Sequence, residues 1–565
     1  MNESPTVTRL QDNFCDNLIR GGGNVFDRSL KENEVLQLVE RDGQLDSVQE
    51  LGKCNSTAAT LRTTANRLYR ERQFDDALIC YNESICYAEP GSDQLGMASA
   101  VYYEQGEFEL ALYNIDLAKR NNYPERLLRK LLARELNCKQ QIAAGHSKGT
   151  VPCPRMDINV DTNPRIPFLA KGIVMTYDPK FGRGLYAERE FNPGDIIINE
   201  KLELCGLDYG YVYRHCNQCG ADFSYSLIPC PACTFCMYCS EECLEMNWKF
   251  YHRFECGVAT KLCSVSCITD MLFVRLFFYG LSQFVDDLPT MMEFCEPEVT
   301  ELSNPLKLDY TNLNRLEVFK AMHNTKPRVG VDDNEDVVKC TAACYYVAFL
   351  NNPVVNSIIS TAAHRQFFHQ SLLRYTRVAL ALMTSCVNSY GQTINVIRPI
   401  GSLFNHSCDP NATMVVDSGG AKVILLRPLG KGEQIFISNG PTWWLPEVSK
   451  VLHFKCQCVA CDQGPRGREW RKPMERPLPP KARQDIQTLQ AIIRWENPNN
   501  AARLNAIQQF VKRYTHLHPQ EKDNDLGLCR INNFPWCDLI ISELFGATTH
   551  PRKVSESKLN PALRF

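Results

Sequence analysis

The sequence predicts an α+β multidomain protein, with a strand-rich core interrupted by a cysteine-rich segment and a helical insert, and helices at both ends. Three observations carry this. Residues 65–124 repeat at a spacing of 34, residues 216–256 hold paired cysteines, and short β-branched runs lie on both sides of a long helical stretch. At 565 residues the chain exceeds what one hydrophobic core usually holds, so several domains are expected.

Composition narrows the function. Hydrophobic content of 44% and charged content of 22% are ordinary for a globular protein. A formal charge of −2, with no basic block, argues against direct nucleic-acid binding. The first residues, MNESPTVTRLQDNFCDN, lack the apolar centre of a signal peptide. The most apolar run, CITDMLFVRLFFYGL, is broken by Asp270 and Arg275, so no membrane span is expected. In a chain with no secretory signal, 27 cysteines read as metal-binding or catalytic, and the cytoplasm and nucleus are the expected compartments.

The elements follow in order. An N-terminal extension, 1–64, precedes helical repeats over 65–145. There Tyr69 and Tyr103, Phe74 and Phe108, Ala77 and Ala111, Leu78 and Leu112, and Pro90 and Pro124 all stand 34 apart, the tetratricopeptide period. Two repeats are few for an independent solenoid, so both a packing arm and a peptide-binding role stay open. After a Pro-containing linker near 146–167, GIVMTYD, GRGLYA and DIIINE read as strands of a segment spanning 166–215. Residues 257–385 read as mostly helical. Strands return over 386–440, where ATMVVDSGGAKVILL reads as a hairpin closed by Asp417–Gly420. A cysteine segment over 441–462, a Pro- and Arg-rich linker over 463–480 and a helical tail over 481–565 complete the chain.

The cysteine-rich segment reads Cys216-x2-Cys219, Cys230-x2-Cys233, Cys239-x3-Cys243 and His252-x3-Cys256. Four ligand pairs make two tetrahedral zinc sites. A tight x2 turn brings two thiolates to one ion, and an x3 spacing sets ligands one helical turn apart. Cys236 is surplus and makes a competing x2 pair with Cys233 or Cys239; His215 is also spare. Further on, Cys456-x-Cys458-x2-Cys461 supplies three thiolates, which do not close a structural site. Cys408, in the polar stretch Asn405-His406-Ser407-Cys408-Asp409-Pro410-Asn411, is the candidate fourth ligand. Three zinc ions are therefore expected.

The ligand order, ending in MYCSEECLEMNWKFYHRFEC, resembles a MYND finger. That resemblance implies interleaved pairs: Cys216, Cys219, Cys239 and Cys243 on one ion, and Cys230, Cys233, His252 and Cys256 on the other. It favours Cys239 over Cys236, because Tyr238 precedes it as in the family pattern. MYND fingers bind short proline-containing peptides, which here stands beside a purely structural role.

GRGLYA, then NPGDIIINE, the finger, NHSCDPN, GKGEQIFIS and CQCVAC occur in the order found in SET-and-MYND methyltransferases, over roughly 66–461. The helical repeats resemble the branch of that family with an N-terminal tetratricopeptide extension. The resemblance implies a SET core that binds S-adenosylmethionine. Gly182, Arg183 and Gly184, in a tight turn between strands, would face the cofactor together with Asn405 and His406. Asn388 of VNSYGQT and Phe454, the latter stacking on adenine, complete the implied set. The implied activity is protein-lysine N-methyl transfer, an in-line displacement in which the enzyme mainly aligns a neutral amine.

The acceptor side departs from the pattern. Where the family has a channel Tyr, this chain has Asn439; Leu452 and Val416 stand at two further aromatic positions. Asn439 is thereby the candidate catalytic residue of an altered channel. The rival expectation is a pseudo-methyltransferase that joins protein partners through the finger and the helical repeats. A role in gene regulation, a monomeric state and no membrane association complete the expectations.

Overall fold

The computed structural model describes residues 31–43, 52–89, 98–120, 123, 125–146, 158–201, 204–207, 212–221, 227–259, 262, 271–296, 304–312, 314–325, 335–387, 393–417, 420–438, 456–472, 479–494 and 500–517. Among them no helix is long and apolar enough to cross a membrane.

A first helix, α1 (Glu32–Asp42), lies inside the stretch read only as an extension. Its Val35 and Val39, one helical turn apart, are buried against the helical insert, and Glu32 pairs with Arg377 at 3.0 Å. Two helix pairs follow: α2 (Asn55–Arg70) with α3 (Phe74–Tyr87), and α4 (Ala98–Gln105) with α5 (Phe108–Arg120). The second helices begin 34 residues apart, at Phe74 and Phe108. The Tyr69–Phe74 and Tyr103–Phe108 rings sit at the same corner of each pair, with centroids 5.9 and 5.5 Å apart. The pairing starts at Asn55, ten residues before the boundary drawn from the repeat, because the first helix extends N-terminal to the recurring positions. Helix α6 (Glu125–Ala143) packs on α5.

The strand-rich core is a five-stranded antiparallel sheet in the order β1 (Thr162–Asn163), β2 (Ile166–Ala170), β5 (Ile196–Lys201), β13 (Gly420–Leu425), β12 (Ala412–Asp417). Its middle strands come from sequence segments more than 200 residues apart, so the finger and insert are excursions from one sheet. The hairpin over 412–425 pairs Asp417 with Gly420. Strands β3 (Ile173–Asp178) and β4 (Gly182–Ala187) form a second hairpin. A three-stranded sheet runs β6 (Leu204–Leu207), β10 (Thr393–Ile397), β9 (Met383–Val387). The sequence reading put Gly182–Gly184 in a turn. The turn instead falls at 179–181, where Asp178 Oδ1 accepts from the amides of Lys180 and Phe181 (2.7 and 2.9 Å), and Gly182 opens β4 at φ +75°.

In the finger, β7 (Ile228–Pro229) and β8 (Met237–Tyr238) pair before helix α7 (Glu241–Asn247), which continues through a π turn to Glu255. The insert is a bundle of α8 (Leu272–Gln283), α9 (Leu288–Cys295), α10 (Arg315–His323), α11 (Glu335–Leu350), α12 (Pro353–Ile358) and α13 (Ala362–Leu382) around an aromatic core. The 463–480 stretch, read as a linker, holds helix α14 (Pro465–Arg471). Proline at its first position suits a helix start, and Arg471 donates back to the carbonyls of Ala460 and Asp462. Helices α15 (Pro480–Arg494) and α16 (Asn500–Tyr514) pack together, with Tyr514 donating to Asp485 at 2.7 Å.

Arg275, which interrupts the apolar run of α8, is buried at the junction of finger, sheet and insert. Its Nε and Nη2 donate to the two oxygens of buried Glu255 at 2.7 and 2.9 Å; Nη1 reaches the Cys205 carbonyl of β6, and Nη2 reaches Asn217 Oδ1 at 3.2 Å. Burial alone would push the Glu255 carboxyl up, but Arg275 and His252 hold it below the usual range. Removing one member of such a pair leaves a buried uncompensated charge. Arg275→Ala should therefore lower stability by about 3–5 kcal/mol in urea unfolding. Arg275→Met with Glu255→Met should recover much of that loss; a single variant as stable as the parent would show that the pair does not hold the junction.

Candidate functional site

The structure gathers the twelve candidate metal ligands into three groups of four: Cys216, Cys219, Cys239 and Cys243; Cys230, Cys233, His252 and Cys256; and Cys408, Cys456, Cys458 and Cys461. Within each group the donor atoms all lie within 4.8 Å of one another. Four thiolates at about 2.3 Å from one zinc stand about 3.8 Å apart along the edges of a tetrahedron. The observed separations match that size: 3.6 Å for Cys219–Cys239 and Cys239–Cys243, 3.4 and 3.8 Å from Cys408 to Cys461 and Cys456, and 3.2 Å from His252 Nε2 to Cys230. Donor type and spacing fit zinc at all three.

Cys239 stands just before Ser240, whose side chain caps α7 by accepting from the Cys243 amide. Cys236 Sγ lies 3.6 Å from the other nitrogen of the His252 ring, Nδ1, outside the ligand group that uses Nε2. The spare His215 is buried, with Nδ1 3.1 Å from the Gly220 carbonyl. The helical arm touches the finger here. Asn82 donates to the Tyr213 carbonyl at 3.0 Å, and Cys86 packs with Leu227 and Met237.

A second constellation forms where β4 meets the Asn405–His406 segment. Asn405 Nδ2 donates to the Arg183 carbonyl at 2.9 Å, across 222 positions of sequence. Asn405 and His406 also pair in parallel with Phe436 and Ile437. A Cβ on Gly184 would stand 2.2 Å from Gln434 Nε2 and 2.8 Å from Asn405 Nδ2, so any side chain there would push both amide ends aside. Gly182 faces open space. Gln434 lies opposite Tyr186 in a β-bridge, and both Gln434 Nε2 and Tyr186 Oη are buried without a partner among the described residues. Burial lowers the Arg183 guanidinium pKa and raises that of the Tyr186 phenol. Burial also lowers the His406 pKa, against a smaller opposing pull from Cys458, and favours a neutral ring. The ring's Nε2 lies 3.2 Å from Cys408 Sγ, so the third metal group abuts this constellation.

Of the sequence-predicted residues, Gly182, Arg183, Gly184, Asn405 and His406 come together. Asn388, Asn439, Leu452 and Phe454 lie outside the described residues, and Val416 is placed by its backbone alone, opposite Ala421. Sequence reasoning overlooked Gln434 and Tyr186. Both stand inside motifs it had singled out, GKGEQIFIS and GRGLYA, but only the fold shows that they face each other.

Elemental analysis of the folded protein should give three zinc ions per chain. Cys408→Ala should remove one and lower stability, because an open site loses much of its contribution to folding. Cys236→Ser should keep all three; loss of one there would move Cys236 into the ligand set.

The SET domain family model matches residues 182–440. A Mus musculus protein named protein-lysine N-methyltransferase SMYD4 is 21% identical, over 74% of this chain and 68% of its own. The SET domain and MYND-type zinc finger protein 6 of Schizosaccharomyces pombe is 25% identical over half of each chain. An Arabidopsis thaliana protein named histone-lysine N-methyltransferase ASHR1 is 23% identical, over 50% of this chain and 53% of its own. With the finger's ligand groups lying between the strands of one sheet, these matches support a SET-and-MYND family member.

Proposed function

We propose that the protein is an S-adenosylmethionine-dependent protein-lysine N-methyltransferase whose acceptor channel is altered. One observation carries the cofactor part. Arg183–Gly184 and Asn405 meet in a cradle where a side chain at 184 would displace the ends of Gln434 and Asn405, and Gln434 Nε2 and Tyr186 Oη, of two residues paired across a β-bridge, are buried without a partner among the described residues. A ligand rich in hydrogen-bonding atoms, as the nucleoside and amino-acid parts of S-adenosylmethionine are, fits such groups. When bound, S-adenosylmethionine supplies an electrophilic methyl group on a sulfonium. The residues of the chain have positional roles: Asn405 fixes the Arg183 backbone, and the Cys408 group holds the His406 ring. Lysine as acceptor is supported by the names of the mouse and plant relatives.

A second reading is favoured by Val416, Asn439 and Leu452, which replace the aromatic channel. In it, the protein keeps the cofactor site and acts as a scaffold. Its partners would be peptides, proline-containing ones at the finger, and the arm docked at Asn82 and Cys86 would be a tetratricopeptide-like platform.

Calorimetry should detect S-adenosylhomocysteine binding. Asn405→Ala and Gly184→Ala should each weaken it by about 1–3 kcal/mol, the first by removing a buried hydrogen bond and the second by displacing Gln434. Transfer of a labelled methyl group to a protein panel separates the two readings. In an enzyme, Asn439→Ala should abolish transfer and leave cofactor affinity intact, the pattern of an interaction made only in the transition state. Cofactor binding with no transfer to any protein would favour the scaffold, and no binding would reject both readings of the cradle.

A further inference from the structure

Between β10 and the Asn405–His406 segment the chain buries a guanidinium, that of Arg398, to 1% exposure. Its Nη2 points to the sulfur of Met414, a weak acceptor. Among the described residues Nε and Nη1 have no hydrogen-bond partner and none forms an ion pair with Arg398. Gly401 makes room for it: a Cβ there would stand 2.7 Å from Cζ and 2.8 Å from Nη1. The acid of β5, Glu200, directs its two oxygens to the amides of Ile400 and Gly401 at 3.0 and 2.8 Å.

A fixed positive charge with two open donors is strongly disfavoured in an apolar interior unless an anion completes it. The fork geometry of a guanidinium matches a carboxylate in particular. The position is also informative. The turn Gly401–Leu403 packs on β4, the strand that carries Gly184, and Met414 lies two positions before Val416 in β12. The guanidinium thus stands between the cofactor cradle and the strand where the family resemblance puts an acceptor-channel aromatic.

We propose that Arg398 is a carboxylate-binding residue on the acceptor side of this site. Its placement there rests on the cofactor reading of the cradle; its need for an anion does not. The carboxylate has two sources, the amino-acid end of the cofactor or an acidic group of a bound protein. In either case an uncompensated Arg398 repels an approaching lysine ammonium, so acceptor entry depends on the anion.

The test compares the protein with Arg398→Met, which keeps length and removes charge, and with Arg398→Lys, which keeps charge and loses the fork. Calorimetry with S-adenosylhomocysteine and with methylthioadenosine, which lacks the carboxylate, is run beside thermal melting in glutarate. If the cofactor supplies the anion, Arg398→Met loses roughly tenfold to a hundredfold in S-adenosylhomocysteine affinity and none for methylthioadenosine. If a protein acid supplies it, nucleoside affinities hold, while a glutarate-induced rise in Tm is present in the parent and absent in Arg398→Met. Arg398→Lys should show the same loss in smaller degree, and it serves alone if Arg398→Met does not fold. Variants equal to the parent toward all three probes overturn the proposal. A parent that binds neither nucleoside but is stabilised by glutarate through Arg398 rejects the cofactor reading and keeps this one.

Discussion

The architecture depends on one buried ion pair, Arg275 with Glu255. Glu255 ends the helix that carries His252 and adjoins Cys256, so its carboxylate is rigidly tied to a metal group. Arg275 sits mid-helix in the insert and also reaches the Cys205 carbonyl of β6 and the Asn217 side chain of the finger. One guanidinium therefore orients three units whose sequence segments are otherwise independent. An apolar contact could supply similar stability but not direction, because packing is less selective about rotation than five donors in a fixed plane.

The second constraint is the metal group around Cys408. It joins residues 48–53 positions apart, and it lies against the His406 ring. Asn405, on the same short strand, holds the Arg183 carbonyl, so a chain of contacts runs from the Cys456–Cys461 segment through His406 and Asn405 to Gly184. A metal held by these thiolates would fix that segment, and the contacts through His406 and Asn405 would carry the constraint to the cradle. The finger is tied to β6 and the insert through Arg275.

Much of this was legible in the sequence because its signals are local or strictly spaced. The paired cysteines, the 34-residue recurrence and the 412–425 hairpin each arise from short-range geometry. What the sequence hid depends on contacts between distant segments. Arg275 read only as a break in an apolar run, since nothing nearby announced Glu255 twenty positions before it as a partner. Helix α1 escaped notice because its apolar stripe is only two turns long and its partner, the insert, begins more than 200 residues later. Gln434 sat in a recognised motif, yet its role depends on Gly184, 250 positions away. The 463–480 stretch misled for a different reason. Its Pro and Arg content suits a linker, but Pro465 starts a helix and Arg471 satisfies carbonyls left open by the cysteine turn.

The two halves of the site appear under different physical rules. On the cofactor reading proposed above, one half is built from backbone and small polar groups, Gly184, Asn405 and the Arg183 carbonyl, and there the family motifs are present. The acceptor half requires only that an attacking atom be aligned and its charge accommodated, which several side-chain sets could achieve. Aromatic faces accommodate an ammonium by their negative quadrupole. On the proposed reading, the loss of those faces at Val416, Asn439 and Leu452 would remove that attraction, and the buried charge of Arg398 near Met414 would oppose a bare cation. Both changes push the same way, away from a bare cation and toward a ligand that carries negative charge. A neutral gap left by missing aromatics would suggest simple decay of the channel. A guanidinium buried near β12 is costly to keep without a counter-ion, so the proposed carboxylate role of Arg398 favours a rebuilt site with a different charge preference over an eroded one.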